Sequence, residues 1–359
     1  MTDRSSHISG NKPFGTIRRK PIKLTANDLV TTSALHPEQG LPVVVESKVE
    51  HLNLVTWIAN QKEFAETLLF KHGGILFRNF EIGGTEGLQG FIRTWGEPLE
   101  YSYRSTPRSQ VSGHIYTSTE YPPDQFIPLH NEEAYSTTWP MKLWFFCITP
   151  ATTGGNTPIA DSRKIFEAIS PKIREPFIDR KVMYVRNYGE GLDLSWENVF
   201  QTTDQSVVEA FCRQAGIETE WKGRNRLRTR HVCQSAATHP RTGEPVWFNQ
   251  AHLFHVSSLQ AEVRSGLLSM YQPEDLPRQA YYGDGSPIET AVLDEIREVY
   301  AKESVMFPWR KGDILMVDNM LVAHGRMPFV GPRKIVVGMA EPYSVNKTLA
   351  EEQKKTIED

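Results

Sequence analysis

Strand-like runs are scattered along the whole of this 359-residue chain, with glycine- and proline-containing turns between them and no regular strand–helix alternation. Residues 74–78, 143–148, 181–186, 246–249, 313–318 and 334–340 are rich in β-branched, aromatic and aliphatic side chains. That composition fits a pleated, buried surface. A doubly wound parallel sheet needs a helix between successive strands, and this chain lacks that rhythm. Helical periodicity occurs in separate blocks: 61–71, 161–170, 205–215, 257–271 and 291–302, the last with Val292, Ile296, Val299 and Tyr300 on one stripe. A further helix is predicted with Thr85 as its cap, Leu88, Phe91, Ile92 and Trp95 on its apolar face and Gly96 as its stop. The expected fold class is mainly β with surrounding helices, a sandwich or jelly-roll core.

Hydrophobic residues make up 39% of the chain and aromatics 10%, enough for a substantial core. A net charge of −3 gives no electrostatic reason to expect nucleic acid or an anionic membrane as partner. No apolar run approaches the ~18 residues of a membrane span, and the first residues lack an apolar signal core. Cys147, Cys212 and Cys233 are widely spaced, odd in number and form no CxxC. They exclude a zinc ribbon, argue against a disulfide scaffold and fit a reducing cytoplasm. The expected organisation is a flexible arm over residues 1–20, one domain over 21–345 and a polar tail over 346–359.

The residues that carry chemistry are His130, Glu132, His324 and Arg333. His130 and Glu132 are two apart in Pro128-Leu129-His130-Asn131-Glu132, the spacing that puts side chains on one face of an extended strand. Alone, this pair is a weak signal. Together with His324, in Ala323-His324-Gly325-Arg326, it makes two imidazoles and one carboxylate. Such a set occupies one face of a six-coordinate metal and leaves the other open, which suits non-haem Fe(II). Arg333 opens a strongly apolar run, where a charge is costly unless it is exposed or paired. It could grip the far carboxylate of a 2-oxo acid bidentately; a salt bridge to a structural Asp or Glu is the plainer alternative. Thr157, in Gly154-Gly155-Asn156-Thr157-Pro158, and Thr117, upstream of the histidine–glutamate pair, are further candidates to reach a bound carboxylate.

The ordered set of motifs resembles the TauD/TfdA family of Fe(II)/2-oxoglutarate dioxygenases, and within it the SyrP-like and clavaminate-synthase-like branch. The resemblance runs from His72-Gly73-Gly74-Ile75-Leu76-Phe77-Arg78-Asn79-Phe80 through Leu129-His130-Asn131-Glu132, Gly154–Asp161 and Trp247-Phe248-Asn249 to Asp318-Asn319, His324-Gly325-Arg326 and Arg333. It implies a double-stranded β-helix, iron held by His130, Glu132 and His324, and 2-oxoglutarate anchored by Arg333 with help from Thr157. O2 would be the co-substrate. The family more often has Asp in the place of Glu132; a carboxylate of either length is a ligand, and its presence argues against a halogenase.

Relatives in this branch oxidise amino acids, free or carrier-tethered, so the resemblance implies an amino-acid-like small molecule and a possible carrier protein as partners. Asn131, Glu133, Tyr135, Asn249 and Arg326 are candidates to touch that substrate, Arg326 being equally suited to holding its own turn. Residues 187–201 could cover a pocket or be an ordinary packed connection anchored by Trp196. The basic run 224–231 is either a solvated face or a docking patch for a carrier. His252 and His255 form an HxxH pair with no third ligand nearby in sequence. Two other classes stay open: a zinc hydrolase, because the same ligands suit zinc, and a non-catalytic jelly-roll binding protein.

Overall fold

The computed structural model describes residues 26–100, 108–189, 193–223 and 225–345. The expected arm (1–20) and tail (346–359) lie outside them. Its centre is an eight-stranded sheet in the order Val30–Ala34, Val43–Ser47, Gly74–Arg78, Ile314–Asp318, Thr138–Thr149, Lys334–Ser344, Ile115–Thr117, Gln110–Ser112. Every pairing is antiparallel except that of Val43–Ser47 with Gly74–Arg78.

The central strands are buried on both faces, and the period of two sorts their side chains into two cores. Trp139, Met141, Leu143, Phe145 and Cys147 point inward with Leu315, Val317, Ile335, Val337 and Met339. The intervening Trp144, Phe146, Ile314, Met316 and Val336 point outward, onto helices Lys62–His72 and Gly84–Arg93 through Leu69, Leu88, Phe91 and Ile92. The second of these helices begins at Gly84, after a left-handed Gly83, so Thr85 lies in its first turn rather than capping it. A glycine supplies the positive φ there at no steric cost, which leaves no role for a threonine cap.

The inward face is covered by a second sheet, Ile127–His130, Val322–Arg326 and Ile159–Asp161, in the order first, second, third. Two sheets face to face with helices outside make the jelly roll. A separate four-stranded antiparallel sheet, Glu218–Trp221, Leu227–Cys233, Val182–Tyr188 and Arg278–Tyr282, stands beside them. Helices Ser162–Ala168 and Thr290–Glu303 pack with it. The segment read as one helix over 257–271 is a single 3-10 turn, Val256–Ser258, followed by the helix Ala261–Met270, which buries none of its residues. Among the described residues no helix is long and apolar enough to cross a membrane.

Candidate metal centre

In the second sheet the register pairs His324 directly with His130. Gly325 permits the approach: a Cβ there would fall 2.5 Å from the Ile127 carbonyl oxygen. The two imidazole centroids are 4.5 Å apart, and Phe145 of the main sheet lies 4.9 Å from the His324 ring. Glu132 does not continue the strand, as its spacing suggested. The strand ends at His130, and Glu132 stands in the turn that follows.

That turn is fixed by the buried side chain of Asn319. Its Oδ1 accepts from Glu132 N at 2.7 Å, and its Nδ2 donates to the Glu132 and Pro140 carbonyls, both at 2.9 Å. Asn319 thus pairs with a residue far away in sequence as a neighbouring strand would. The result brings a carboxylate oxygen of Glu132 to 3.8 Å from His324 Nε2. One donor atom from each of His130, Glu132 and His324 lies within 4.8 Å of the other two, the one such three-residue group among the described residues.

The donor chemistry fits a divalent metal. His130 Nδ1 lies 2.8 Å from the Pro128 carbonyl oxygen; as a donor there, it leaves Nε2 with a lone pair, the arrangement of metal-bound histidines. Burial pushes His324 well below its ordinary pKa, with the neighbouring His130 and Arg108 adding to the effect. Burial lowers His130 too, partly opposed by Glu132. Neutral imidazoles and an ionised carboxylate are the protonation states ligation requires. Arg108, which no sequence motif singled out, donates to Glu132 Oε2 at 2.7 Å from a site only 3% exposed.

A cavity opens against the two histidines, walled by Arg108, Thr157, Arg326 and Arg333. Arg333 Nε donates to the Gly155 carbonyl at 3.0 Å. Among the described residues no carboxylate lies within ion-pair distance of it, so the structural salt bridge considered above is not formed. Burial, reinforced by Arg326, pushes its guanidinium down to about 10. Thr157 is buried beside it, its hydroxyl accepting from Trp309 Nε1 at 3.0 Å.

Several other candidates sit elsewhere. Thr117 faces away: its hydroxyl donates to Glu120 and accepts from Ser109 N. Ser118 and Thr119 line the cavity in its place. Arg326 donates to the carbonyls of Tyr121, Pro122 and Gln125 at 2.6–3.0 Å, with a longer contact to Thr119, so its guanidinium is spent on holding that loop. Asn131 donates to Ser162 Oγ and to the Asn319 carbonyl, in the core. Asn249 bridges Ser235 O and Ala251 N. These two asparagines satisfy buried backbone and are not presented to a ligand. Tyr135 does line a cavity, on the other side of the turn 131–136, together with Glu133.

His252 and His255 do not converge on a metal. His252 Nε2 lies 3.1 Å from the Leu129 carbonyl oxygen and its ring stacks on Tyr300, while His255 accepts from Ser257 N. Trp196 is buried against Trp221 at the start of a short helix, which favours a packed connection over 193–201; residues 190–192 lie outside the described ones. In the basic run, Arg228 is buried and bonded to Asn187 and Asp275, and Arg230 to Glu220. Neither is a free docking charge; Arg224 lies outside the described residues.

Two histidines and a carboxylate enclosed between the sheets of a jelly roll, with an open cavity on one side, form a donor set that suits non-haem iron. Residues 35–339 match the family described as taurine catabolism dioxygenase TauD, TfdA family. The chain is 37% identical to the dapdiamide synthesis protein DdaC of Enterobacter agglomerans, over 82% of this chain and 93% of that one. It is 30% identical to a clavaminate synthase-like protein of Arabidopsis thaliana, over 79% and 86%. Its fold is similar to that of PvcB from Pseudomonas aeruginosa, an Fe, α-ketoglutarate-dependent oxygenase of an isonitrile synthetic pathway (TM-score 0.52, 16% identity, 89% of this chain and 94% of that one).

The chain belongs to the TauD/TfdA family. It is an Fe(II)/2-oxoglutarate-dependent dioxygenase, with O2 as co-substrate.

Proposed function

We propose that this enzyme hydroxylates an unactivated C–H bond of an amino acid or amino-acid-derived small molecule in a specialised biosynthetic pathway. His130, Glu132 and His324 would hold the iron, and Arg333 the distal carboxylate of 2-oxoglutarate. The carrying observation is the register that sets His324 opposite His130 with Glu132 at 3.8 Å, in a cavity whose wall includes Arg333. The amino-acid-derived substrate rests on the similarity to DdaC, a dapdiamide synthesis protein.

Iron and 2-oxoglutarate, when bound, supply the O2-dependent oxidation, in which 2-oxoglutarate leaves as succinate and CO2. The protein's own work is positioning. Arg333 offers two parallel N–H donors to a planar carboxylate, and its burial strengthens that bond by keeping water out. Thr157 presents a hydroxyl beside it. Arg108 holds one oxygen of Glu132, limiting the directions in which that carboxylate can point. Phe145 and Thr119, at the start of the Arg326-braced loop, line the cavity and would limit the room left for water once substrate is bound. A C–H held at a different angle would instead be desaturated, cyclised or epimerised at the same centre.

The test is anaerobic addition of Fe(II) and 2-oxoglutarate to the apoprotein, followed through the weak visible charge-transfer band of the chelate. The band should form in wild type, vanish in His324→Ala and weaken in Arg333→Ala. A folded, iron-loaded wild type without the band would sink the reading and favour a zinc hydrolase or a non-catalytic protein.

A further inference from the structure

A second cavity, of about 220 Å3, is lined by residues of the turn 131–136, Glu133, Tyr135 and Ser136, and by none of the three candidate metal ligands. Tyr135, Trp139, Tyr184 and Phe254 form much of its wall, the Tyr184 and Phe254 rings 4.9 Å apart and edge-on. Into this apolar surround the chain places Glu133, adjacent to Glu132 and held at a positive φ of 56°. A non-glycine residue in that region is strained, and such strain collects where a side chain must be aimed.

Among the described residues the Glu133 carboxylate has no hydrogen-bond or ion-pair partner. Its charged neighbours are Glu132, of like sign, and Arg108, whose guanidinium already donates to Glu132 at 2.7 Å. Burial, with the like-charged Glu132 adding to it, pushes this carboxyl up to about 8, so without a partner it keeps its proton near neutral pH. A cation arriving in a ligand would stabilise the ionised form and supply the missing partner.

A second observation points the same way. His231 lines the same cavity, is 8% exposed, and its Nε2 has no hydrogen-bond partner among the described residues. Its other nitrogen meets the Ala215 carbonyl, and a neutral ring donating there leaves Nε2 as an acceptor. Burial holds this histidine at about 4, so the ring is neutral at physiological pH. The cavity thus offers a carboxylate, an imidazole acceptor and aromatic faces, and each of these favours N–H donors or positive charge. Glu100 at the exposed rim adds a second carboxylate, and Arg186, the one lysine or arginine among the described lining residues, faces Asp193 at 3.5 Å.

We propose that this cavity is the substrate's binding site and that Glu133 selects a cationic group on it, an ammonium or guanidinium. The inference rests on the reading above, that the enzyme oxidises an amino-acid-derived molecule at the adjacent centre, and narrows it to the cation-bearing members of that class.

The experiment is calorimetric titration of the Fe(II)- and 2-oxoglutarate-loaded enzyme, kept anaerobic, with matched probes. L-Arginine is compared with L-citrulline, L-lysine with L-norleucine, and L-norleucine with its N-acetyl derivative. In at least one pair the cationic member should bind about 10- to 100-fold more tightly, the worth of a charge-assisted contact in a sheltered site. Glu133→Gln should erase most of that preference while keeping the chelate band. The pair that discriminates identifies whether the α-ammonium or a side-chain cation is seated. No cation preference in any pair, no binding of any cationic probe, or a preference that survives Glu133→Gln overturns the proposal. Should Glu133→Gln fail to fold, Glu133→Leu takes its place, and the wild-type ranking decides by itself. Failure here with an intact chelate band leaves the assigned function standing, whereas absence of the band in wild type strikes the function itself.

Discussion

Arg326 and Arg333 wall one cavity, seven residues apart in sequence, yet their guanidinium groups are in opposite states. Arg326 is spent on three or four backbone carbonyls of the loop 119–125. Arg333 is bonded to one carbonyl, Gly155 O, and its burial is otherwise uncompensated by any carboxylate among the described residues. The difference teaches that an arginine near a metal centre is a ligand-binding residue only if the fold leaves its donors unspent. Residue type and proximity are the same for both; the count of protein partners separates them.

Substitutions should divide along that line. The largest effect lies at the centre both arginines wall: His324→Ala should abolish Fe(II) binding, measured by metal content and by the chelate band, because two remaining ligands do not hold the ion against water. Next, Arg333→Leu should weaken 2-oxoglutarate binding by about 100-fold, the scale of a lost bidentate charge pair. Its thermal stability should hold or rise, since an uncompensated buried charge is removed. Arg326→Leu should do the reverse, lowering stability by about 3 kcal/mol as its carbonyls lose their donor. Equal loss of 2-oxoglutarate affinity in both variants would break the comparison.

Asn319→Ala tests the same idea at Glu132. Freed from its side-chain clamp, that turn should relax and metal affinity should fall about 10-fold, the usual range for a group that orients a ligand. Titration of the apoprotein with Co(II) would show it without recourse to turnover.

The most diffuse effect, spread over more than two pH units and absent near neutrality, is with pH. His231 is held at about 4 by burial, against 6.5 when unfolded. The unfolded chain therefore binds a proton first as pH falls, so stability drops from about pH 6.5 down to about 4 and is flat above. The loss from this group is on the order of 3 kcal/mol at the acid end. His231→Gln should flatten that part of the denaturant-midpoint profile; an unchanged slope would mean the histidine protonates in the fold.

Much of the fold was readable from period and composition. The strands at 74–78, 143–148 and 313–318 are apolar through their centres, with charges only at the ends (Arg78, Asp313, Asp318), because both their faces are covered, and continuous apolar runs are easily recognised. Helix Thr290–Glu303 follows its stripe through Ile296 and Tyr300. The Thr85 cap was misjudged because glycine starts that helix by a conformation that carries no side-chain signal. The motif HxE drew attention to Glu132 for the wrong local reason, since a turn and not a strand presents it. Asn131 and Asn249 were misassigned because a buried amide satisfying backbone and an amide facing a ligand are the same letter in sequence. Thr117 is the last residue of its strand, with its hydroxyl taken by Ser109 and Glu120, and the cavity is lined instead by Ser118 and Thr119 just beyond it. Arg108 carried no signal at all, being linked to Glu132 only in space.

Sequence by itself determined the chemical inventory and the layering: two histidines, a glutamate and an arginine in the order of a known family, on strands whose alternation dictates two cores. Those are properties of residue type and short-range spacing, and short-range spacing survives without a fold. Tertiary structure decided which of those groups are free to act. The pairing of His324 with His130, the clamp of Asn319 on Glu132, and the contrast between Arg326 and Arg333 all depend on contacts between segments about 180 to 210 residues apart. Hydrogen-bond donors are consumed by whatever the chain brings within about 3 Å, and only the folded chain fixes those distances.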